Sequence, residues 1–168
     1  MKQLLTVLAV ACTFAATAQT SSYSKRDEKF AKKAAMGGLM EVKLGEMAQT
    51  HATNSKVKET ARHMVDDHRL VNEELKDMAA RKSLTLPSSL DSKMQKKYDH
   101  LNKFSGKKFD KKYSCYMVKD HKKDICLFKK EAKRGDNPEL KTWASAKRPT
   151  LESHLKMWKE ARKEARKE

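Results

Sequence analysis

Four long stretches of this chain carry apolar residues at alternating intervals of three and four, and no other feature constrains the fold as much. That interval puts the apolar side chains on one stripe of an α-helix, which must then be buried against other helices. Phe30, Ala34, Leu44 and Ala48 mark the stretch from Asp27 to Ala52, and Val57, Ala61, Met64, Val71, Leu75 and Met78 the stretch from Ser55 to Lys82. Val118, Ile125, Phe128 and Ala132 mark a third, from Phe109 to Arg134, and Leu140, Ala144, Leu151, Trp158 and Ala161 a fourth, entered at Pro138. With 5 Gly and 3 Pro in 168 residues, the chain lacks the punctuation that many short strands need, which excludes a β-barrel or sandwich. A hydrophobic content of 38% argues against wholesale disorder, and the length suits one domain. The fold class expected is all-α.

The turns are readable too. Thr53-Asn54-Ser55 offers turn and N-cap residues. Gly135 reads as a C-cap, Asp136 or Asn137 as an N-cap, and Pro138 fits a first helical position. Between the second and third stretches, Leu84 to Ser89 with Pro87 is a connection. Ser89 or Asp91 then caps a short helix through Phe104, and Ser105-Gly106 stops it. Pro149 is expected to kink or break the last helix. Two helical hairpins joined by a long crossover describe a ferritin-like four-helix bundle with a short extra helix in the crossover. An internal echo supports the repeat: Met64-Val65-Asp66-Asp67-His68 returns as Met117-Val118-Lys119-Asp120-His121.

Residues 1–18 read as a secretory signal peptide: Lys2, an apolar run from Leu4 to Ala16, then Ala16-Thr17-Ala18 for cleavage before Gln19. The expected destination is the periplasm, the cell envelope or the exterior. Cys12 after Leu8-Ala9-Val10-Ala11 admits a lipid anchor, which the apolar run continuing through Phe14 disfavours. Residues 19–25 are expected to be a disordered lead, 26–160 the bundle, and 161–168 a charged, frayed tail. No later stretch is apolar enough to span a bilayer. Cys115 and Cys126 are eleven residues apart, about 16 Å along one helix, too far for a disulfide with each other. They read as half-buried thiols, or as an intermolecular bridge.

Each long stripe carries one titratable residue in mid-seam: Glu41, His68, His121 and His154. Glu41 lies 13 residues before Asn54 and His68 lies 14 after it, so both sit about 20 Å from that turn. His121 and His154 lie 15 residues before and 18 after Asp136, an offset of about 4–5 Å. The crossover lets the second and third helices run parallel, so all four residues can share one level. Three imidazoles and a carboxylate there suit zinc, copper or iron. Asp124, one turn from His121, is a further ligand or an outer carboxylate, and Asp67 and Glu131 are outer candidates. A hydrogen-bonded polar cluster without metal is the competing interpretation. The ferritin di-iron pattern requires Glu-x-x-His, and the chain has none.

The formal net charge is +16, or +15 once residues 1–18 with Lys2 are removed. Lysine pairs at Lys96-Lys97, Lys107-Lys108, Lys111-Lys112, Lys122-Lys123 and Lys129-Lys130 are interleaved with Tyr98, Tyr113 and Tyr116. For an exported protein, anionic envelope polymers or lipid headgroups fit such a surface better than nucleic acid, and a merely solvated basic face is the simpler account. The methionines read as core fillers. His51, His63 and His100 sit near helix ends or flanks and are expected to be exposed. No Gly-rich phosphate loop, Ser-His-Asp order or Cys-x-x-Cys pair is present, so no catalytic residue is assigned.

The stretches Ala34-Ala35-Met36-Gly37-Gly38-Leu39-Met40-Glu41-Val42, Met64 to His68, Phe109-Asp110-Lys111-Lys112-Tyr113, Met117 to His121 and Leu151-Glu152-Ser153-His154-Leu155 resemble the bacterial family called domain of unknown function 4142. The resemblance covers residues 30–158 and implies an exported ferritin-like bundle with no established activity. Its recurring acidic and histidine positions correspond here to Glu41, His68, His121 and His154. The family's outer-membrane label suggests a β-barrel, which this helical sequence does not support. The lysine content from Lys93 onward departs from the family pattern.

Overall fold

The structure is a computed structural model and describes residues 23–167. The expected signal peptide, residues 1–18, lies outside the described residues, as do residues 19–22 and 168. Five helices follow in order: α1 (Lys25–His51), α2 (Ser55–Ala80), α3 (Ser92–Asn102), α4 (Gly106–Arg134) and α5 (Pro138–Lys167).

The capping chemistry explains where they start. Ser24 and Asp27 form a reciprocal capping box on α1. The Asn54 side chain accepts from the Val57 amide, Asp91 from the Met94 amide, and Asn137 from the Leu140 amide. Helix α4 starts at Gly106, a turn before the expected Phe109. Gly106 adopts φ +60, a left-handed conformation that lets the chain swing from α3 into α4 in a few residues. Gly135 does end α4, but with φ −58. Its lack of a side chain matters sterically instead, since a Cβ there would come within 2.8 Å of the Glu131 carbonyl oxygen.

The most extensive packing joins α1 to α2 and α4 to α5, followed by α2 with α5 and α1 with α4. The bundle is therefore four-sided, with α1 and α5 on one diagonal and α2 and α4 on the other. Helix α4 begins beside the α1–α2 turn, where the Asp110 carboxylate accepts from the Thr53 amide and hydroxyl and from the Asn54 amide. The crossover with α3 thus returns the chain along the bundle, and α2 and α4 run parallel, as expected. At the opposite end Asp27 accepts from the Asp136 and Asn137 amides. One sequence interval separates Asp27 from Asp110 and also Asn54 from Asn137, so the two hairpins are equivalent units. The Met-Val-x-Asp-His echo follows a different register, aligning the diagonal helices α2 and α4.

Two apolar clusters fill the interior. Phe109, Tyr113 and Trp158 anchor the one near the α1–α2 turn, and Phe30, Phe128 and Leu140 the one near the α4–α5 turn. Tyr113 meets Trp158 edge-on at 5.0 Å, and Phe30 meets Phe128 at 5.1 Å. Each such buried aromatic contributes roughly 2–3 kcal/mol by removal of its surface from water. Close approach of α1 and α2 depends on Gly45, where a Cβ would meet the Ala61 carbonyl oxygen at 2.9 Å; a Cβ on Gly38 would require the Asn72 side chain to move.

Three expectations are corrected. The lead was expected to be disordered through residue 25, yet Tyr23 is buried, with its hydroxyl 3.4 Å from the Met78 carbonyl, and Ser24 and Lys25 start α1. The tail expected to fray from residue 161 instead continues α5 to Lys167, because Ala161 and Ala165 lie buried against the first cluster. Helix α5 also continues through Pro149, so the proline does not break it. Pro149 and Ser145, whose carbonyl loses its amide partner, face solvent, where water satisfies that oxygen. Cys115 is half-buried and Cys126 exposed, both as free thiols. Among the described residues no helix is long and apolar enough to cross a membrane.

Candidate metal centre

Each helix of the bundle brings one polar residue to a layer between the two apolar clusters: Glu41 from α1, His68 from α2, His121 from α4 and His154 from α5. All are buried, none more than 4% exposed. The local cause is the seam itself. Met64 and Leu75 flank His68, Met117 and Phe128 flank His121, and Leu151 and Trp158 flank His154, so the apolar residues on either side hold the polar ones inside.

The layer is ordered through one engaged nitrogen per ring. Nδ1 of His68 lies 3.0 Å from Oε2 of Glu41. Nδ1 of His121 lies 3.1 Å from the Met117 carbonyl oxygen and 3.3 Å from Oε1 of Glu41. Nε2 of His154 lies 2.8 Å from Oδ2 of Asp67. The other nitrogen of each ring, Nε2 of His68, Nε2 of His121 and Nδ1 of His154, is buried with no hydrogen-bond partner. Buried polar atoms seldom go unpaired, and three on converging rings point to something that binds lone pairs. A nitrogen from each of the three rings lies within 4.8 Å of the other two, with ring centroids 5.4–5.8 Å apart.

Burial also controls the charge. It lowers the pKa of His68 to about 4 and of His154 to about 4, in the latter case despite the Asp67 hydrogen bond. Burial, reinforced by His68 and His154, lowers His121 to about 3. The imidazoles are therefore neutral at ordinary pH and keep their lone pairs. Burial and the nearby Asp120 push Glu41 well above the usual carboxylate range. Three neutral imidazoles form a donor set suited to a transition metal.

The structure brings together Glu41, His68, His121 and His154 and leaves Asp124 outside the three-histidine group. Asp124 joins Asp120 in a group of carboxylates at the α1–α4 face that shares Glu41 with the layer, and burial and those two neighbours raise its pKa. Glu41, expected as a ligand, places its two oxygens against ring nitrogens of His68 and His121. Glu131, an expected outer carboxylate, sits at the far end of α4 and hydrogen-bonds Asp27 instead. His63 is exposed as expected, yet it forms a further group with Asp67 and His154. Asp120 and His63 enter the site only in the structure; the repeated Asp-His pair, Asp67-His68 and Asp120-His121, is the sequence signal for Asp120, and the i,i+4 spacing of His63 and Asp67 the signal for His63. A cavity of about 30 Å³ adjoins the layer, touching Glu41, His68, Asn72, Asp124 and His154. That is room for a water or two.

The pattern of the family described as Domain of unknown function (DUF4142) matches residues 12–161. The chain belongs to this family. Among solved structures, this DUF4142 chain is similar to the crystal structure of a DUF305 fragment from Deinococcus radiodurans, with a TM-score of 0.74 over 86% of this chain and 99% of that one. At 9% identity the likeness is one of fold, a helical bundle. No curated protein matches the chain.

Proposed function

We propose that this DUF4142 protein is an exported metal-binding bundle in which His68, His121 and His154 hold a zinc, copper or iron ion. The observation that carries this is the set of three buried, unpartnered imidazole nitrogens, each opposite a nitrogen already engaged. Glu41, the Met117 carbonyl and Asp67 would orient the rings and fix their tautomers, as outer partners do at protein metal sites. Three protein nitrogens leave a coordination position open, and the small adjoining cavity gives a water access to it. The ion would supply Lewis acidity or redox capacity there. Export rests on the order of charged, apolar and small residues in 1–18. The test is elemental analysis of protein purified without chelators or a His-tag, beside a His68→Gln/His121→Gln variant. The wild type should carry near one metal ion and the variant none, and added zinc, copper or iron should raise only the wild-type melting temperature. Equal trace metal in both, with neither melting curve shifted, leaves a structural polar cluster and overturns the proposal.

A second reading is a basic module that binds anionic envelope polymers or lipid headgroups without turnover. The observation favouring it is an open groove of about 1140 Å³ between α1, α4 and the crossover, whose lining includes Lys25, Lys29, Lys33, Lys93, Lys123 and Lys130. Among the described lysines of this groove only Lys32 forms an ion pair, with Glu28 at 3.6 Å.

A further inference from the structure

The buried layer has a neighbour at the surface that shares one of its rings. His63 on α2 places Nε2 3.3 Å from Oδ2 of Asp67, and the same oxygen meets Nε2 of His154 at 2.8 Å. One ligand atom from each of these three residues lies within 4.8 Å of the others. Side-chain exposure falls steadily along the series, from 49% at His63 to 29% at Asp67 and 2% at His154. The His154 ring thus meets this group through Nε2, while its Nδ1 is buried and without a partner. The rings of His68 and His121 stand 5.4 Å and 5.6 Å from it on the inner side, and that of His63 5.7 Å away on the outer side.

We infer that His63, Asp67 and His154 form a second, solvent-facing cation site through which a divalent transition-metal ion is loaded into the buried one. This rests on the proposed metal-binding function and adds a route to it. A hydrated ion cannot enter the apolar interior without replacing its water ligands, since a bare charge there is very costly. A partly exposed imidazole and carboxylate replace some of those waters while the rest remain. Imidazole and carboxylate together accept zinc, cobalt or copper(II). The ring of His154 carries one proton in each state, and passage of the ion inward releases the Nδ1 proton to solvent while Nε2 takes one up from solvent on the Asp67 side. The proton is on Nδ1 while Nε2 holds the outer ion, and on Nε2, facing Asp67, once Nδ1 holds the inner ion. The His63–Asp67 contact is spaced i,i+4 with the His63 side chain half exposed, where such pairs add little to stability, so its removal leaves the fold intact.

Stopped-flow loading of metal-free, full-length protein with Co²⁺, followed by its visible absorption, tests the route. Wild type is compared with His63→Ala, His63→Gln and the distant, exposed control His100→Ala. Gln retains a hydrogen bond to Asp67 but not a ligating imidazole, so both His63 variants should load roughly ten-fold more slowly. Their final Co²⁺ stoichiometry and affinity should match wild type, and His100→Ala should load at the wild-type rate. Equal loading rates in all four proteins, a normal rate in His63→Gln alone, or a lower final affinity at an unchanged rate would each overturn the entry role while leaving the buried site standing. Failure of wild type itself to bind Co²⁺ or zinc would overturn the buried site and the route together.

Discussion

His121 is the most enclosed ring of the layer, fully shielded from solvent, and its low pKa ties stability to pH. An unfolded histidine titrates near 6.5. As pH falls below that value the unfolded chain takes up a proton that folded His121 refuses until about pH 3. Its contribution is therefore intact above about pH 6.5 and is lost progressively between there and about pH 3. Glu41 and Asp124 act with the opposite sign, because their raised values favour the folded state in acid and are felt as pH rises above the ordinary carboxylate range. A difference measurement isolates the ring. For metal-free protein, unfolding free energy from denaturant titrations should fall more steeply between pH 6 and pH 4 in wild type than in His121→Gln, by up to about 1.4 kcal/mol per pH unit. Parallel pH profiles would show that His121 is not held neutral. With metal bound, acid should also release the ion, because protons compete for the same nitrogens.

At the scale of elements, the bundle is tied at each end by a carboxylate reaching across from another hairpin. Asp110 of α4 caps the α1–α2 turn, and Asp27 of α1 caps the α4–α5 turn. Burial pushes Asp27 up, but the Asp136 and Asn137 amides and the Glu131 and Ser24 side chains outweigh it and hold Asp27 below its ordinary value. Glu131 is raised to about 7 by burial and then by Asp27 beside it, so below that pH it donates to Asp27. Asp110→Ala leaves the buried Asn54 amide and the Thr53 donors without their acceptor. It should cost about 2–3 kcal/mol, seen as a fall in melting temperature of roughly 5–10 °C. A loss under 1 °C would mean that water replaces the carboxylate at no cost. These ties were not legible in the sequence. The local caps at Asn54, Asp91 and Asn137 were, because a cap bonds an amide three residues away, whereas Asp110 and Thr53 are far apart in the chain and meet only after the hairpins pack.

For the whole molecule, lysines from α1, α3 and α4 border one groove. If that groove serves an anionic surface, binding to vesicles containing an anionic phospholipid should be measurable at low ionic strength and fall steeply with added salt. A Lys29→Gln/Lys33→Gln/Lys130→Gln variant should bind roughly 100-fold more weakly, at about 1 kcal/mol per lysine. No vesicle binding by wild type at low salt would remove that reading, and equal binding by the variant would place the contact elsewhere on the basic surface.

The sequence by itself determined the helices, their approximate ends and the level at which Glu41, His68, His121 and His154 meet. These depend on rise and turn per residue, which are local properties that spacing along one chain segment records. It also supplied the antiparallel hairpins and the crossover, through turn residues and the distance the chain must travel. Only the tertiary structure decided which atoms face one another. Asp67 and Asp124 both stand close in sequence to seam histidines, yet Asp67 holds His154 while Asp124 turns to the carboxylates of the α1–α4 face. That choice follows from α2 lying beside α5 and α1 beside α4, and from the rotation of each helix about its own axis. Packing of whole apolar faces sets both, and no spacing within a single helix encodes them. The persistence of α5 through Lys167 has the same origin: its last turns read as a solvated, charged run, and it is Ala161 and Ala165, pressed onto the neighbouring helices, that keep them wound.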